Sequence, residues 1–413
     1  MKNKSGNLKN TGSAATPRRI GLMLAALLAV TWTSSSLADG DRGGNGDGDY
    51  DGRGNNQAQG NNADRDNNGN RGDEREEKGY QQINLVADLP GVAILQDTNL
   101  VNAWGISFGP NTPFWISDNG TGLSTLYTVT NDMMGMPHVV KQGLEVTIPG
   151  DGTPTGQLFN NTRGFHTNLF IFASEDGTIS GWRPALGTAA ETLVSAPNSV
   201  YKGITLISNS SGPMLLVANF RQAKIDIYDG QMNLIHQYAD TKAPSDYAPF
   251  NVEAINGMVF VTFAKQDSAM HDDVPGPGNG LIDILDPMTG VFHRLVTGTD
   301  AGGNNHAVNS PWGMVISPAD FGEHSDQLLV GNFGDGTIMS FDDHGRFDGL
   351  LRDAKHKTLT IDGLWALTVG NGTRAGVPGA LYFTAGPGGE RHGLFGSLVT
   401  AKKAVRGHRH DND

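Results

Sequence analysis

The sequence predicts an all-β protein, a six-bladed β-propeller closed by an N-terminal strand. A short apolar segment with a small central residue recurs six times along the chain. Each copy is followed by two more short apolar runs between turn residues, and no window shows helical periodicity. The chain has 413 residues, with 57 Gly and no Cys, which is typical of a turn-rich fold without disulfides.

The first strand of each repeat carries a small residue, or its substitute, where strands must crowd around a common axis. Successive small positions are 47 to 61 residues apart, a spacing typical of propeller blades. The six positions are Gly105, Gly156, Gly203, Val252, Gly313 and Ala366. A small residue there lets inner strands approach one another closely.

Two further apolar runs complete most of each predicted blade. The second runs are 114–116, 169–172, 215–217, 259–261, 328–330 and 381–383. The third runs are 125–127, 178–182, 224–228, 281–284, 337–339 and 393–395. Among possible fourth strands, the segment 292–296 is the one with clear strand character.

The sixth copy has three strands before the folded region ends, whereas the strand predicted at 82–87 precedes the first copy without a partner. Pairing this N-terminal strand with the last blade would complete the sixth sheet. The ring would then have no open edge. The sequence therefore predicts a propeller over 80–400.

The two ends of the chain differ in composition from the propeller. Residues 1–38 predict a signal peptide, because Arg18 and Arg19 precede the apolar run 20–30 and Ala38 follows at a small-residue cleavage site. Residues 39–79 are rich in Gly, Asn and Asp and predict a disordered linker. Residues 401–413 predict a polar tail. We expect a secreted or periplasmic protein with no membrane span after signal removal.

Charge and composition exclude several functional classes. Lys and Arg number 30 against 43 Asp and Glu, so the formal net charge of −13 argues against a nucleic-acid partner. The absence of cysteine excludes thiolate metal sites and a cysteine nucleophile. The letters of Gly105 to Gly109 match a serine-hydrolase elbow, but no helix follows, so we interpret the match as chance. The sequence leaves the catalytic residues, if any, unknown.

The starts of the inner strands and the loops after the second strands meet at one mouth of a propeller channel. Their carboxylate and amide oxygens suit a hard cation such as Ca²⁺. The candidate ligand or metal residues are Asn102, Asp118, Glu175, Asn219, Asn251, Glu253, Asn332 and Asp362. A smaller metal set comprises Glu175, Asn219, Asn251 and Asp362. Asn119-Gly120, Asp176-Gly177 and Asp335-Gly336 favour hairpin turns instead.

Three segments resemble a family of exported bacterial six-bladed propellers with no assigned activity. They are 174–182, 330–338 and 382–387, and the resemblance extends over about residues 80 to 400. Members of that family often carry a C-terminal sorting anchor, which this sequence lacks. The chain is also distantly similar to NHL-repeat and gluconolactonase-like propellers, and this second resemblance implies a divalent cation on the axis.

Two functional hypotheses follow. The first is an exported binding or scaffold propeller without assigned catalysis, monomeric, with a small molecule or an extracellular partner as its ligand. The alternative is a metal-dependent hydrolase of the lactonase or esterase kind, in which an axial divalent cation, Ca²⁺ for example, polarises a carbonyl group.

Overall fold

The computed structural model describes residues 79–133, 135–298 and 307–401. The predicted signal peptide, nearly all of the predicted linker at 39–79 and nearly all of the predicted tail at 401–413 lie outside the described residues. Within the described ranges no helix is both long enough and apolar enough to cross a membrane. Three short 3₁₀ helices are present there, Phe165–Thr167, Pro184–Leu186 and Gly322–His324.

The described strands form six antiparallel blades around one axis, which confirms the predicted fold class. Blade 1 consists of β3 (Ala103–Ser107), β4 (Phe114–Asp118), β5 (Leu123–Asn131) and β6 (Pro137–Thr147). Blade 2 consists of β7 (Pro154–Phe159), β8 (Phe170–Ser174), β9 (Thr178–Trp182) and β10 (Glu191–Ser195). Blade 3 consists of β11 (Tyr201–Asn209), β12 (Gly212–Asn219), β13 (Lys224–Asp229) and β14 (Leu234–Tyr238).

The remaining blades repeat this order from the axis outwards. Blade 4 consists of β15 (Tyr247–Ile255), β16 (Met258–Lys265), β17 (Gly280–Asp286) and β18 (Val291–Val296). Blade 5 consists of β19 (Pro311–Ile316), β20 (Leu328–Asn332), β21 (Ile338–Phe341) and β22 (Phe347–Leu350). Blade 6 contains β23 (Leu364–Val369), β24 (Leu381–Ala385), β25 (Leu394–Thr400), β1 (Tyr80–Ala87) and β2 (Leu95–Gln96).

Blade 6 joins both ends of the propeller in one sheet, as the sequence predicts. Strand β1 pairs antiparallel with β25, from Tyr80 opposite Thr400 to Ala87 opposite Leu394, and β2 adds to β1 in parallel. The Tyr80 hydroxyl donates a hydrogen bond of 2.8 Å to the carbonyl oxygen of Phe321, which ties the closing strand to blade 5. Closure by β1 covers the edge that β25 would otherwise expose.

The inner strands approach closely, and the small residues of the repeat make this possible. A Cβ atom on Gly105 would overlap the backbone of Thr155 in the next blade. In blade 4 the position beside Gly203 is held by Asn251 rather than by the predicted Val252, so this blade has no small residue there. The inner strands of all six blades carry a register shift at this level, and in blade 4 it falls between Pro249 and Asn251.

An apolar cluster fills the middle of the channel. We call it the aromatic plug, and it consists of Trp104, Phe220, Phe250, Trp312 and Trp365. The rings of Trp104 and Trp365 stack with centroids 3.6 Å apart. Because the plug is buried on the axis, it separates a polar mouth on one side from a cavity on the other.

Candidate binding site at the channel mouth

Six polar residues from five blades meet at one end of the channel, above the aromatic plug. They are supplied by the starts of inner strands and by the loops that follow second strands, as propeller geometry requires. We call them the mouth cluster, and its members are Asn102, Asn119, Glu175, Lys202, Asp272 and Glu390. These residues lie far apart in the sequence and come together only when the blades assemble.

Two amide side chains connect the carboxylates of Glu390 and Glu175. Asn102 Nδ2 donates to Glu390 Oε2 at 2.8 Å and to Asn119 Oδ1 at 3.1 Å. Asn119 Nδ2 then donates to Glu175 Oε2 at 3.0 Å. The amides therefore fix the positions of both acidic groups, and the hydrogen bonds to charged oxygens are of the stronger kind.

Lys202 lies at the centre of the cluster, and only 2% of its side chain is exposed. Its ammonium nitrogen is 2.5 Å from Glu175 Oε1 and 3.4 Å from Asp272 Oδ1. It also lies 4.9 Å from the centroid of the Trp104 ring, an arrangement that favours a cation. Burial by itself would lower the pKa of Lys202, but the charges of Glu175 and Asp272 raise it above its usual value. The ammonium group is therefore charged at neutral pH.

Negative charge is in excess at the mouth. Burial raises the pKa of Asp272, but Lys202 and His271 oppose it and hold that pKa below its usual range. Burial raises the pKa of Glu390, although the hydrogen bond from Asn102 lowers it in part. Burial likewise raises the pKa of Asp273, against the lowering effect of a hydrogen bond from Ser310. Several carboxyl groups thus share the single buried ammonium of Lys202. Such a surface attracts positively charged groups.

Asn102 connects the mouth cluster to the plug. Trp365 Nε1 donates to Asn102 Oδ1 at 2.9 Å, and Asn102 itself has a left-handed φ of 46°. Asparagine tolerates this conformation better than most residues. The indole N–H groups of Trp104 and Trp312 are buried without a hydrogen-bond partner among the described residues. Buried donors without a partner are uncommon in proteins.

Of the eight predicted site residues, Asn102 and Glu175 belong to the mouth cluster. Asp118, Asn219 and Asn332 are instead enclosed within their own blades. Asn219 Nδ2 donates to Ser199 Oγ and to Asp226 Oδ2, each at 2.9 Å, and Asn332 Nδ2 donates to Thr337 Oγ1 at 3.0 Å. Burial raises the pKa of Asp118 well above its usual range.

The other three predicted residues occupy different places. Asn251 lies in the channel wall and donates to the carbonyl oxygen of Trp312 at 2.8 Å. Glu253 faces the cavity on the far side of the plug. Asp362 is exposed and accepts a hydrogen bond of 2.8 Å from the backbone N–H of Gly388. The predicted metal set of Glu175, Asn219, Asn251 and Asp362 therefore does not form one contact group among the described residues.

A one-residue offset explains much of this difference. Asp118, Asn219 and Asn332 are the last residues of β4, β12 and β20, and their side chains point into the blade. The next residue in each case points to the axis, because side chains alternate along a strand. Asn119 thus reaches the mouth, Phe220 enters the plug, and Phe333 stacks on Trp365 at 3.9 Å. Glu175 follows the same rule as the residue after β8.

Sequence reasoning missed four members of the mouth cluster as ligand candidates, namely Asn119, Lys202, Asp272 and Glu390. A signal for Lys202 is present in the repeat. It directly precedes Gly203, whereas the corresponding positions before Gly105 and Gly313 hold tryptophan. A charged residue on a buried inner strand needs a partner, so its position indicates an ion pair near the axis.

The predicted hairpin turns are present at two of the three dipeptides. Asp176 accepts a hydrogen bond from Thr178 N at 2.8 Å, and Gly177 has a φ of 78°. Asp335 accepts from Thr337 N at 3.0 Å, and Gly336 has a φ of 72°. After β4 the residue with left-handed φ is Gly122 rather than Gly120, which leaves Asn119 available to the mouth cluster.

One part of the mouth could accommodate a metal ion. Ligand atoms of Glu175, His271 and Asp272 all lie within 4.8 Å of one another. Lys202 already binds Glu175 and Asp272, so its ammonium competes with a divalent cation for the same oxygens. A metal would bind here only if the Lys202 side chain moved away, since two cations in contact repel each other.

No family model matches the chain. An uncharacterised protein of Acanthamoeba polyphaga mimivirus is 29% identical over 323 residues, covering 73% of this chain and 81% of the viral protein. A second uncharacterised mimivirus protein is 28% identical over 303 residues, covering 68% and 72%. These relatives carry no assigned function, and the bacterial origin and export of this chain stay predictions.

Solved structures with similar architecture are distant in sequence. A streptogramin B lyase structure has a TM-score of 0.43 and 12% identity and covers 78% of this chain and 97% of its own. A protein of unknown function from Bacteroides thetaiotaomicron has a TM-score of 0.45 and 9% identity, with coverage of 78% and 73%. Neither similarity carries a functional argument. By its own sheet topology the chain is a six-bladed β-propeller.

Proposed function

We propose that the protein is a non-catalytic binding propeller that acts outside the cytoplasm and recognises a positively charged segment of a partner protein at its channel mouth. The observation that supports this proposal most directly is the mouth cluster, where several carboxyl groups surround one buried ammonium. The formal net charge of −13 adds a favourable long-range field for a basic partner.

The exposed part of the mouth defines where the partner would bind. Asp272 and Glu390 are the exposed residues, with 64% of the Asp272 side chain accessible, although the Glu390 carboxyl group is partly covered where it accepts from Asn102. Glu175 and Lys202 are only 12% and 2% exposed. The Lys202–Glu175 pair therefore organises the site from beneath. Asp272 and Glu390 would make the contacts with lysine or arginine side chains of the partner.

Binding of a fluorescently labelled oligolysine peptide tests the proposal, with an oligoglutamate peptide as the charge control. We expect fluorescence anisotropy to show binding of the basic peptide only, weakened in about 0.5 M salt because screening shortens the range of the attraction. The double variant Asp272→Asn/Glu390→Gln should bind at least about tenfold more weakly, the size expected when rim charges are lost.

Asp326→Asn provides a matched control. Asp326 is an exposed carboxylate in the loop between β19 and β20, at the opposite end of the blade, and its φ of 56° is one that asparagine accepts. Equal weakening by this control would mean that only net charge matters. Unchanged affinity of the double variant would refute the mouth as the binding surface.

A divalent cation is the second candidate ligand, and the proximity of Glu175, His271 and Asp272 favours it. This site is also what a lactonase or esterase activity would require, with the metal polarising a carbonyl group. A cation that binds the folded state alone stabilises it by about 2.7 kcal/mol at a hundredfold excess over its Kd. Differential scanning calorimetry with Ca²⁺, Mg²⁺ and Zn²⁺ measures this effect directly.

Comparison with Lys202→Met separates the two candidates. If Lys202 blocks the metal site, the variant should gain stability from added cation where the natural protein does not. The hydrolase alternative predicts that the protein turns over lactones or esters and that this activity is lost with chelators and in Glu175→Gln. That result would contradict the proposal of a non-catalytic binding propeller.

A further inference from the structure

An open cleft of about 1090 Å³ lies under blade 6, at the end of the propeller opposite the mouth. It is bounded by the outer strands of blade 6, by the loop between β1 and β2, by the hairpin between β5 and β6 in blade 1 and by the loop between β23 and β24. Polar and apolar atoms contribute about equally to its surface. Its volume is close to the upper limit of about 1,000 Å³ that is usual for small-molecule sites.

Two rows of neighbouring side chains from β24, β25 and β1 form the floor of the cleft. In one row Tyr382 lies opposite Ser397, which lies opposite Ile83. In the next row Val399 lies opposite Gln81. All five point to the same face of the sheet, because side chains alternate along a strand. Ile83 and Val399 pack against the buried core between blades 6 and 1, and they are themselves partly exposed in the cleft.

The rims of the cleft carry exposed apolar side chains. Val92, Ile94 and Met136 are 43%, 56% and 57% exposed. Asn84 holds the first rim, since its Nδ2 donates to the carbonyl oxygen of Val92 at 3.1 Å and its own carbonyl oxygen accepts from the N–H of Ile94 at 3.2 Å. Asp132 holds the second rim, since its carboxylate accepts from the N–H of Met136 at 2.8 Å. Single exposed hydrophobic side chains are normal, but a group of them around one cleft marks an interaction site.

Asp320 is the only charged side chain among the described residues that line the cleft. It is exposed and lies against Gly379, where an added Cβ atom would be 3.1 Å from a carboxylate oxygen. Asp320 forms no ion pair with the residues the structure describes. Arg374, in the same loop as Gly379, donates instead to Thr128 and Gln142. The described lining therefore offers a ligand one unpaired carboxylate and no cation.

We propose that this cleft binds a free small-molecule amphiphile with a hydrocarbon chain and a positively charged ammonium head. The chain would lie on Ile83 and Val399, between the rims, and would cover apolar surface that now faces water. The ammonium would pair with Asp320. Its charge follows from complementarity with this single carboxylate, and the chain follows from the apolar floor and rims. Met136 suits such a site, because a flexible methionine side chain adapts to the shape of a ligand.

A fatty acid or another anionic amphiphile fits this cleft less well. Its carboxylate would approach Asp320 without a cation in the described lining to receive it, and like charges repel. An uncharged amphiphile would place the same chain on the floor but would gain no ion pair with Asp320. The charge of the head therefore separates these ligands, whereas the length of the chain tests the apolar surface that they share.

Ligand-detected NMR tests the proposal in the full chain at pH 7, with decylammonium, decanol and decanoate each below its micelle concentration. Decylammonium should bind most tightly and decanoate least. Octylammonium should bind more weakly than decylammonium by up to about 15-fold, because each buried methylene contributes at most about fourfold. Asp320→Asn should weaken decylammonium by about twofold to fivefold, the size expected of an exposed ion pair, and should leave decanol unchanged.

Variants of the rim test where the chain binds. Val92→Ser/Ile94→Ser removes two exposed apolar side chains without a change of charge, and it should weaken decylammonium and decanol alike by at least about fivefold. Met258→Ser/Val291→Ser is the matched control, because it removes two exposed apolar side chains from blade 4. Asp326→Asn is the control for Asp320→Asn, because both remove one exposed carboxylate. Both controls should leave binding unchanged.

Decanol or decanoate that binds as tightly as decylammonium, or an Asp320→Asn variant with undiminished affinity, would overturn the charged head. Unchanged binding to Val92→Ser/Ile94→Ser, or an equal loss in either control, would overturn the cleft as the site. The mouth is also acidic, so loss of decylammonium binding in Asp272→Asn/Glu390→Gln would place the ligand there and overturn this proposal. Because the cleft and the mouth lie at opposite ends of the propeller, a failure here leaves the proposed function unaffected.

Discussion

The ion pair between Lys202 and Glu175 makes a prediction about the stability of the propeller. Substitution of Lys202 by methionine keeps a side chain of similar length against the Trp104 ring but removes the ammonium. Glu175, only 12% exposed, then loses its counter-charge, although Asn119 still donates to it. We expect the free energy of unfolding to fall by about 3 to 5 kcal/mol, as for other buried pairs that lose one partner.

The complementary variant Glu175→Gln leaves the ammonium buried with one carboxylate, Asp272, at 3.4 Å. We expect a loss of similar size, because a nearly enclosed cation is then poorly compensated. The double variant Lys202→Met/Glu175→Gln removes both charges at once. It should unfold with a free energy within about 1 kcal/mol of the natural protein, since replacing a buried pair by uncharged groups is often close to neutral.

Urea denaturation followed by circular dichroism measures all four proteins and completes a double-mutant cycle. Lys224→Met is the control, because Lys224 is a more accessible lysine on β13 that forms no ion pair with the residues the structure describes. It should change the stability by no more than about 0.5 kcal/mol. Additive losses in the double variant, or single losses below about 1 kcal/mol, would refute the view that this pair is buried and strongly coupled.

Two further predictions concern pH and closure of the ring. The pKa of Glu253 is raised to about 8 from an ordinary 4.5, so the folded state holds this proton more tightly than the unfolded state and stability falls as the pH rises through this range. In urea titrations the natural protein should lose about 3 kcal/mol more stability than Glu253→Gln between pH 5 and pH 8. Equal losses in the two proteins would contradict the raised pKa. Tyr80→Phe removes the hydrogen bond from the closing strand to Phe321 and should lower the free energy of unfolding by about 1 kcal/mol. The control Tyr238→Phe, on the outer strand of blade 3, should lower it by less. Equal losses of stability in calorimetry would count against a role for the Tyr80 hydrogen bond in closure.

The architecture could be predicted from the sequence because its causes are local or repetitive. The small residues at 105, 156, 203, 313 and 366 recur at blade spacing, since every inner strand meets the same crowding at the axis. Strand 80–87 could be assigned to blade 6 because the last repeat lacks a fourth strand and an open edge is unfavourable. Neither inference needs the contacts of any individual side chain.

The sites depended on details that the sequence pattern does not carry. A shift of one residue decides whether a side chain faces the blade or the axis. At the end of β12, Asn219 therefore bonds to Ser199 inside the blade, whereas the next residue, Phe220, packs in the aromatic plug. The register shift before Asn251 likewise determines which residues of β15 line the cavity. Lys202 meets Asp272, 70 residues away, through a loop that has no repeating pattern. Periodicity determined the blades, whereas strand ends, bulges and loops, whose geometry depends on packing between blades, decided which groups share a site.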